Sequence, residues 1–352
     1  MRWLRLTFST LLISGCINSD PATDLVETYA SRTANAIEQP FDLQLKKTAE
    51  LYPPLPPRRE RIAPIEPIRE GLLELLDLRH CNLMQLVAER NTSLGRVATG
   101  SQRLIYELEF LPAAKACIRD LEGDPDRQEM VNNLKGIVAI KSASLPNQIW
   151  NSIYTAPEME QHFSLGEQPL TPETPGLITP LTPSLERFVQ IAELTQQSDW
   201  QTPADVSKLE SHFEKLYRSQ LGAQWLASMA LLTQTLEQTA NAIELKLQGR
   251  PICFNKKQNN QSKIVWNVFM NFYVNSLQPY IAQVEKEGRI WSELNRQIIY
   301  NLAETTRSQH IEYLFAEQGP IWHPYLSARK RHTEAWQQIL EQCNLRPGNK
   351  QE

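Results

Sequence analysis

The stretch LESHFEKLYRSQLGAQWLASMALLTQTLEQTANAIELKL, residues 209–247, decides the fold class. Leu209, Phe213, Leu216, Leu221, Leu232, Leu236, Ile243 and Leu247 recur mostly at helical spacing, so one apolar stripe faces a core while Glu, Gln and Lys face away. Unbroken, a helix from Ala204 to Leu247 would run about 66 Å at 1.5 Å per residue. A break near Gly222 is therefore expected, giving long antiparallel helices. No stretch elsewhere alternates with the period of a strand, and the expected class is all-α, built as one or more multi-helix bundles.

Helical signals continue on both sides. Downstream, Val265, Val268, Phe269, Phe272, Leu277, Tyr280, Ile281 and Val284 share a period, with Pro279 expected to kink the helix. Further helices are predicted from about Ile290 to Thr305 and from Tyr325 to Cys343, where Trp336, Leu340 and Cys343 share a face. Upstream, Asp20-Pro21 and Asp124-Pro125 each read as a capping acid followed by a first-turn proline. Between them a helix from Ile68 is apolar on several sides, and another begins at a Ser101 cap, is interrupted at Pro112 and resumes through Cys117. A short helix is predicted after Pro146.

Two stretches resist helix. Residues 52–67, YPPLPPRRERIAPIEP, are too proline-dense and read as an extended connector. Residues 168–184, QPLTPETPGLITPLTPS, lack periodicity and suggest a boundary or mobile crossover. The expected organisation is a leader at 1–15, a helical region at 16–164, a Pro/Thr-rich connector at 165–183, a second helical region at 184–343 and a polar tail at 344–352.

The leader has a basic start at Arg2 and Arg5, an apolar run from Leu6 to Ile13, and then Ile13-Ser14-Gly15-Cys16. Polar Asn18, Ser19 and Asp20 follow too soon for the run to reach the ~20 residues of a membrane span, so it reads as a signal peptide. Residues 13–16 resemble the lipobox of bacterial lipoproteins. That resemblance implies acylation of the Cys16 thiol, cleavage before it and a membrane anchor; more than one acyl chain, at about 0.8 kcal/mol per CH₂, anchors stably. Ile17, where the enteric-type sorting pattern avoids Asp, implies the outer membrane with the protein facing the periplasm. Loss of Arg2 and Arg5 leaves 36 − 2 = 34 bases against 40 acids, a net charge of −6, so no basic field favours nucleic acid.

In that oxidising compartment Cys81, Cys117, Cys253 and Cys343 can pair in three ways. Pairing of sequence neighbours, Cys81 with Cys117 and Cys253 with Cys343, is favoured because each bridge then staples one half of the chain. Buried free thiols are the alternative. No close C-x-x-C spacing supports a metal site, and no cofactor is expected.

The segments RHCNLMQLVAERNTSLGRV (79–97), SQRLIYELEFL (101–111), PICFN (251–255), VFMNFY (268–273) and QPY (278–280) are similar to those of an uncharacterised lipoprotein family of Gram-negative bacteria, a domain of unknown function. The likeness supports the compartment and implies no catalytic residue.

No HExxH helix, GxSxG elbow or phosphate-binding glycine loop is present. His80, His162, His212, His310, His323 and His332 show no ligand spacing. Glu89, in AERNTSLGRV, loosely resembles the catalytic-glutamate region of helical lytic transglycosylases, which need a carboxyl with a raised pKa. Arg90 and Arg96 beside it would lower that pKa, and the usual glutamate-serine pair is missing; a salt-bridge or cap role with Arg90, Arg96 or Arg103 is the plain alternative. Trp150 with Tyr154, and Trp322 with Tyr325, suit either a ligand platform or core packing, and Arg329, Lys330 and Arg331 either an anionic contact or a solvated face. The leading expectation is a non-enzymatic envelope interaction factor, with an envelope protein or peptidoglycan as partner. A peptidoglycan-acting enzyme using Glu89 is the first alternative, and a binder of a lipid or small apolar ligand between helices the second.

Overall fold

A computed structural model describes residues 20–68, 81, 83–302 and 306–345. Cys16, the leader and most of the apolar helix expected from Ile68 lie outside the described residues. Within them every regular element is helical, and there is no strand.

The chain enters through α1, Pro21–Ile37, capped as its Asp-Pro start predicts: Asp20 accepts from the backbone N–H groups of Ala22 and Thr23 at 3.0 and 2.9 Å. Val26, Tyr29, Ala30, Thr33 and Ile37 are its buried stripe. The proline-rich 52–67 stretch is extended apart from one helical turn, Arg58–Arg61. Arg61 is buried there, donating to the carbonyls of Pro56 and Tyr154 and to Glu160, which fastens the connector to the body.

Next come α2, Leu83–Asn91, α3, Gly100–Leu121, and α4, Gln128–Tyr154. The cap of α3 is Thr99, in a reciprocal box with Gln102; Ser101 lies inside the helix. Pro112 and Pro146 interrupt nothing, since α3 and α4 continue through them. A mid-helix proline costs about 3 kcal/mol, and here α3 and α4 pack along one another, so burial on both sides of each proline outweighs that local loss. Cys81 is bonded to Cys117 of α3, with a Cα–Cα separation of 5.7 Å. Leu83, Val87, Phe110, Ala114, Cys117, Met130, Val131, Leu134 and Ile137 form a small core at this end. Beside it Lys141 Nζ lies 2.8 and 2.9 Å from the two carboxylate oxygens of Glu107, with the Tyr106 and Phe110 rings 4.8 and 5.0 Å away, so this nearly buried cation is paired and covered.

The 165–183 connector is tied down. Leu170, Ile178 and Leu181 are buried, Ser228 accepts from Leu170 N–H at 2.8 Å, and the buried Glu287 carboxylate accepts from Gly176 and Ile178 N–H at 2.7 and 3.2 Å. These bonds replace the periodic pattern that sequence reading looks for. The main core draws residues from both sides of the connector, from Val26 and Tyr29 through Ile149, Trp150 and Tyr154 to Trp225, Trp291 and Trp336.

After α5, Thr182–Glu193, the expected break in the 209–247 stretch occurs at residues 218–220, between α6, Leu209–Tyr217, and α7, Leu221–Gln248. Gly222 lies inside α7, where it allows close approach: a Cβ there would sit 2.7 Å from the His162 carbonyl oxygen and 2.9 Å from the Trp291 ring. The chain continues through α8, Asn260–Val268, a π-helical segment, Phe269–Leu277, and α9, Gln278–Tyr300. It ends with α10, Thr306–Phe315, and α11, Trp322–Glu341, which packs along α7. Cys253 is bonded to Cys343 just past α11, with a Cα–Cα separation of 5.1 Å.

Gly288 on α9 faces the fully buried Trp225, and a Cβ there would fall 2.5 and 2.8 Å from the indole Cε2 and Cδ1 atoms. Gly288→Ala is therefore expected to destabilise the protein by about 2 to 3 kcal/mol through overpacking, despite the ~1 kcal/mol that alanine gains in a helix. Urea unfolding checks this: a variant as stable as the parent would show that α7 and α9 do not meet here.

Candidate functional site

Where α8 gives way to α9, the backbone widens. Phe269 to Leu277 are π-helical, and the Gln278 N–H still reaches five residues back, to the carbonyl of Tyr273. Such turns are rare and gather at functional sites because the extra residue per turn displaces side chains from the regular helical face. Pro279 then sits in the first turn of α9, with no N–H to continue the ladder that Gln278 still joins. The helix expected from sequence thus runs through the π segment into α9, and Pro279, where a kink is expected, stands just past that segment.

Beside this segment a groove of about 910 Å³ opens between α9 and α11. Phe269, Trp336, Leu340 and Leu345 are buried residues forming one end of it, and Tyr273, Val274 and Ile281 line its middle. At the other end Tyr325 donates to Glu285 Oε1 at 2.7 Å, and Arg329 Nη1 pairs with the same oxygen. Burial, and after it the Glu285 carboxylate, raise the Tyr325 pKa, so the phenol stays a donor.

Under the Tyr273 wall lies a buried polar chain. The Trp336 indole donates to the Tyr29 hydroxyl at 2.8 Å, and that hydroxyl lies 2.5 Å from His332 Nε2; the Tyr273 ring centroid is 4.9 Å from the His332 ring. Burial pushes the His332 pKa down to about 3, and its Nδ1 has no hydrogen-bond partner among the described residues. His332 is wholly inaccessible, so it supports the groove wall and cannot exchange protons with a ligand there. The groove lining is evenly divided between apolar or aromatic residues and polar ones, with three carboxylates, Glu285, Glu334 and Glu341, and one cation, Arg329.

Of the residues singled out from sequence as possible binding or catalytic groups, Arg329 lines the groove, and the others fall elsewhere or serve packing. Glu89 is on the exposed face of α2, accepting from Gln85 Nε2 at 2.9 Å, while Arg90 and Arg103 donate to the Gly95 and Ala98 carbonyls. Glu89 does not line the groove. Trp150 and Tyr154 are stacked at 4.6 Å and buried, as are Trp322 and Tyr325 at 6.2 Å, edge to face. The basic run is divided among acids: Arg329 on Glu285, Lys330 near Glu334 and Arg331 on Glu244. His162 is buried, His212 bonds Ser184 and His323 is exposed; His80 lies outside the described residues. Among the described residues no group of three or more His, Cys, Asp or Glu could hold a metal ion, and no helix is long and apolar enough to cross a membrane. Sequence reading found Phe269, Ile281, Trp336 and Leu340 as apolar faces. It missed the groove, because a π segment has no composition of its own and reads as continued helix.

Fold and site together define an all-α, disulfide-bonded protein with an amphipathic groove beside a π-helical segment. The chain belongs to the family described as "Protein of unknown function (DUF3080)", which it matches over residues 26–347. No curated protein and no solved structure matches it.

Proposed function

We propose that this protein is a periplasm-facing lipoprotein, acylated on Cys16 and held at the outer membrane, that works without catalysis as an envelope interaction factor. The groove carries the reading: it offers an amphipathic envelope component about 910 Å³ of sheltered space, lined among the described residues by apolar, aromatic, amide and paired charged side chains. The sequence Ile13-Ser14-Gly15-Cys16 supports the anchor, and the Cys81–Cys117 and Cys253–Cys343 bonds suit an oxidising compartment.

Two measurements test it. Cys16→Ser is expected to move the protein from the membrane to the soluble fraction, with loss of the acyl mass from the N-terminal peptide. A photo-crosslinking residue at the half-buried Val274 is expected to trap a discrete envelope component in cells, while one at Tyr217, exposed and outside the groove, traps none. Equal labelling from both positions would remove the groove from the function, and an unmodified Cys16 would remove the anchor.

A further inference from the structure

The groove has two chemically different ends. On α11 Arg329 and Leu340 are eleven residues apart, about 16 Å at 1.5 Å per residue. The Leu340 end is lined by Phe269 and Trp336, whose ring centroids are 5.1 Å apart, and by Leu345, with Glu341 also in the lining. The Arg329 end carries one cation and one anion in contact, and Glu334, five residues farther along α11, adds a second carboxylate to the lining. Glu285 uses a single oxygen, Oε1, for both Tyr325 and Arg329. Arg329 is 39% exposed and Glu285 16%, so both reach the groove. A guanidinium has five N–H donors in a planar fork, well suited to phosphate oxygens, and a carboxylate accepts from an ammonium group.

A ligand that satisfies both ends has an apolar chain, a phosphate for Arg329 and an ammonium for Glu285. We propose that the groove binds a single-chain zwitterionic phospholipid of the lysophosphatidylethanolamine class, chain toward Phe269, Trp336 and Leu340, headgroup on the Arg329–Glu285 pair. The phosphate takes up Arg329 donors that Glu285 leaves over, and the ammonium meets the carboxylate edge. A cationic or purely anionic headgroup would satisfy one member of the pair and repel the other. The assignment rests on the groove reading above and is independent of the anchor at Cys16.

The test uses the full chain, as parent and as Cys16→Ser, titrated with lysophosphatidylethanolamines of increasing chain length below their micelle concentrations. Saturable binding is expected in both proteins, tightening about fourfold per methylene until the groove is full. Glu285→Gln should erase a preference for ethanolamine over glycerol headgroups, and Arg329→Gln should weaken every phosphate-bearing ligand about tenfold or more. Val274→Trp should block the middle of the groove, and Ala282→Phe on α9 serves as a second obstruction should the first variant fail to fold. Affinity independent of chain length, unchanged binding in a folded obstructed variant, or equal binding of an uncharged alkyl glucoside would overturn the proposal. Acylation of Cys16, read separately by mass, decides the anchor whatever the titration gives.

Discussion

Acidification from pH 7 to about 4.5 is expected to destabilise the fold by about 2 to 3 kcal/mol for each of two histidines, His162 and His332. Burial pushes their pKa values down to about 4 and about 3. In the unfolded chain each imidazole takes its proton near pH 6.5. Below that pH the unfolded state binds protons that the folded state refuses, so stability falls as pH falls, through the window from about 6.5 to the depressed values. The geometry gives the same direction. His162 Nδ1 lies 3.1 Å from the Gly222 N–H and accepts from it, while Nε2, 3.1 Å from the Leu216 carbonyl, carries the proton and donates. A second proton on Nδ1 would remove the Gly222 bond and leave a charge in a buried site. His332 packs against the Tyr29 and Tyr273 rings, with Trp336 bonded to the far side of the Tyr29 hydroxyl, and none of these contacts is a carboxylate. Urea unfolding at a series of pH values measures the effect. His162→Gln and His332→Gln should each flatten the curve by about one proton in the linkage slope, even where they lower stability at neutral pH. A flat profile in the parent protein would show that these imidazoles are hydrated or paired in the folded state.

How far the sequence could be read depended on whether a feature was local. Asp20-Pro21 announced α1 because an N-cap is a contact between a side chain and its own next turn. The 209–247 stripe announced α6 and α7 because a period of apolar residues requires a helix with one buried face. Pro112 and Pro146 misled for the complementary reason: the cost of a helical proline is local, but the burial that outweighs it comes from the partner helix, which local reading does not see. Gly222 suggested a break, yet the break falls just before it, and the glycine answers to His162 and Trp291 across the core. The basic triplet at 329–331 showed charge without showing the acids, Glu285, Glu334 and Glu244, that divide it. The site combines all three difficulties. Its residues come from the π segment and the start of α9, between 269 and 285, from a separate helix beginning at Trp322 and from Leu345 just past it, and its shape follows from a π register that no residue type marks.

Removing the Cys253–Cys343 bond, as a double alanine variant or by reduction, is expected to cost about 4 to 5 kcal/mol, because the bridge closes a long loop of the unfolded chain. The sequence separation is 90 residues, against 36 for Cys81–Cys117, for which the same chain-entropy argument gives a loss smaller by roughly 1 kcal/mol. Stability alone separates the two bonds weakly; their positions separate them clearly. Cys253–Cys343 ties the segment after α7 to the end of α11, where Gln342 also accepts from the Ile252 N–H at 3.1 Å and where Leu340 and Leu345 wall the groove. Cys81–Cys117 belongs to the small core of α2, α3 and α4 and contributes nothing to the groove lining. Each double variant is to be unfolded in urea and, under conditions where it is still folded, titrated with lysophosphatidylethanolamine. Loss of the 253–343 bond should weaken ligand binding as well as the fold, because the apolar wall loses its covalent brace. Loss of the 81–117 bond should lower stability and leave binding within about twofold of the parent, as expected for sites without shared contacts. If the 81–117 variant loses binding as fully as the 253–343 variant, the two cores are energetically one unit and the groove is held by the whole fold, not by its nearest bridge.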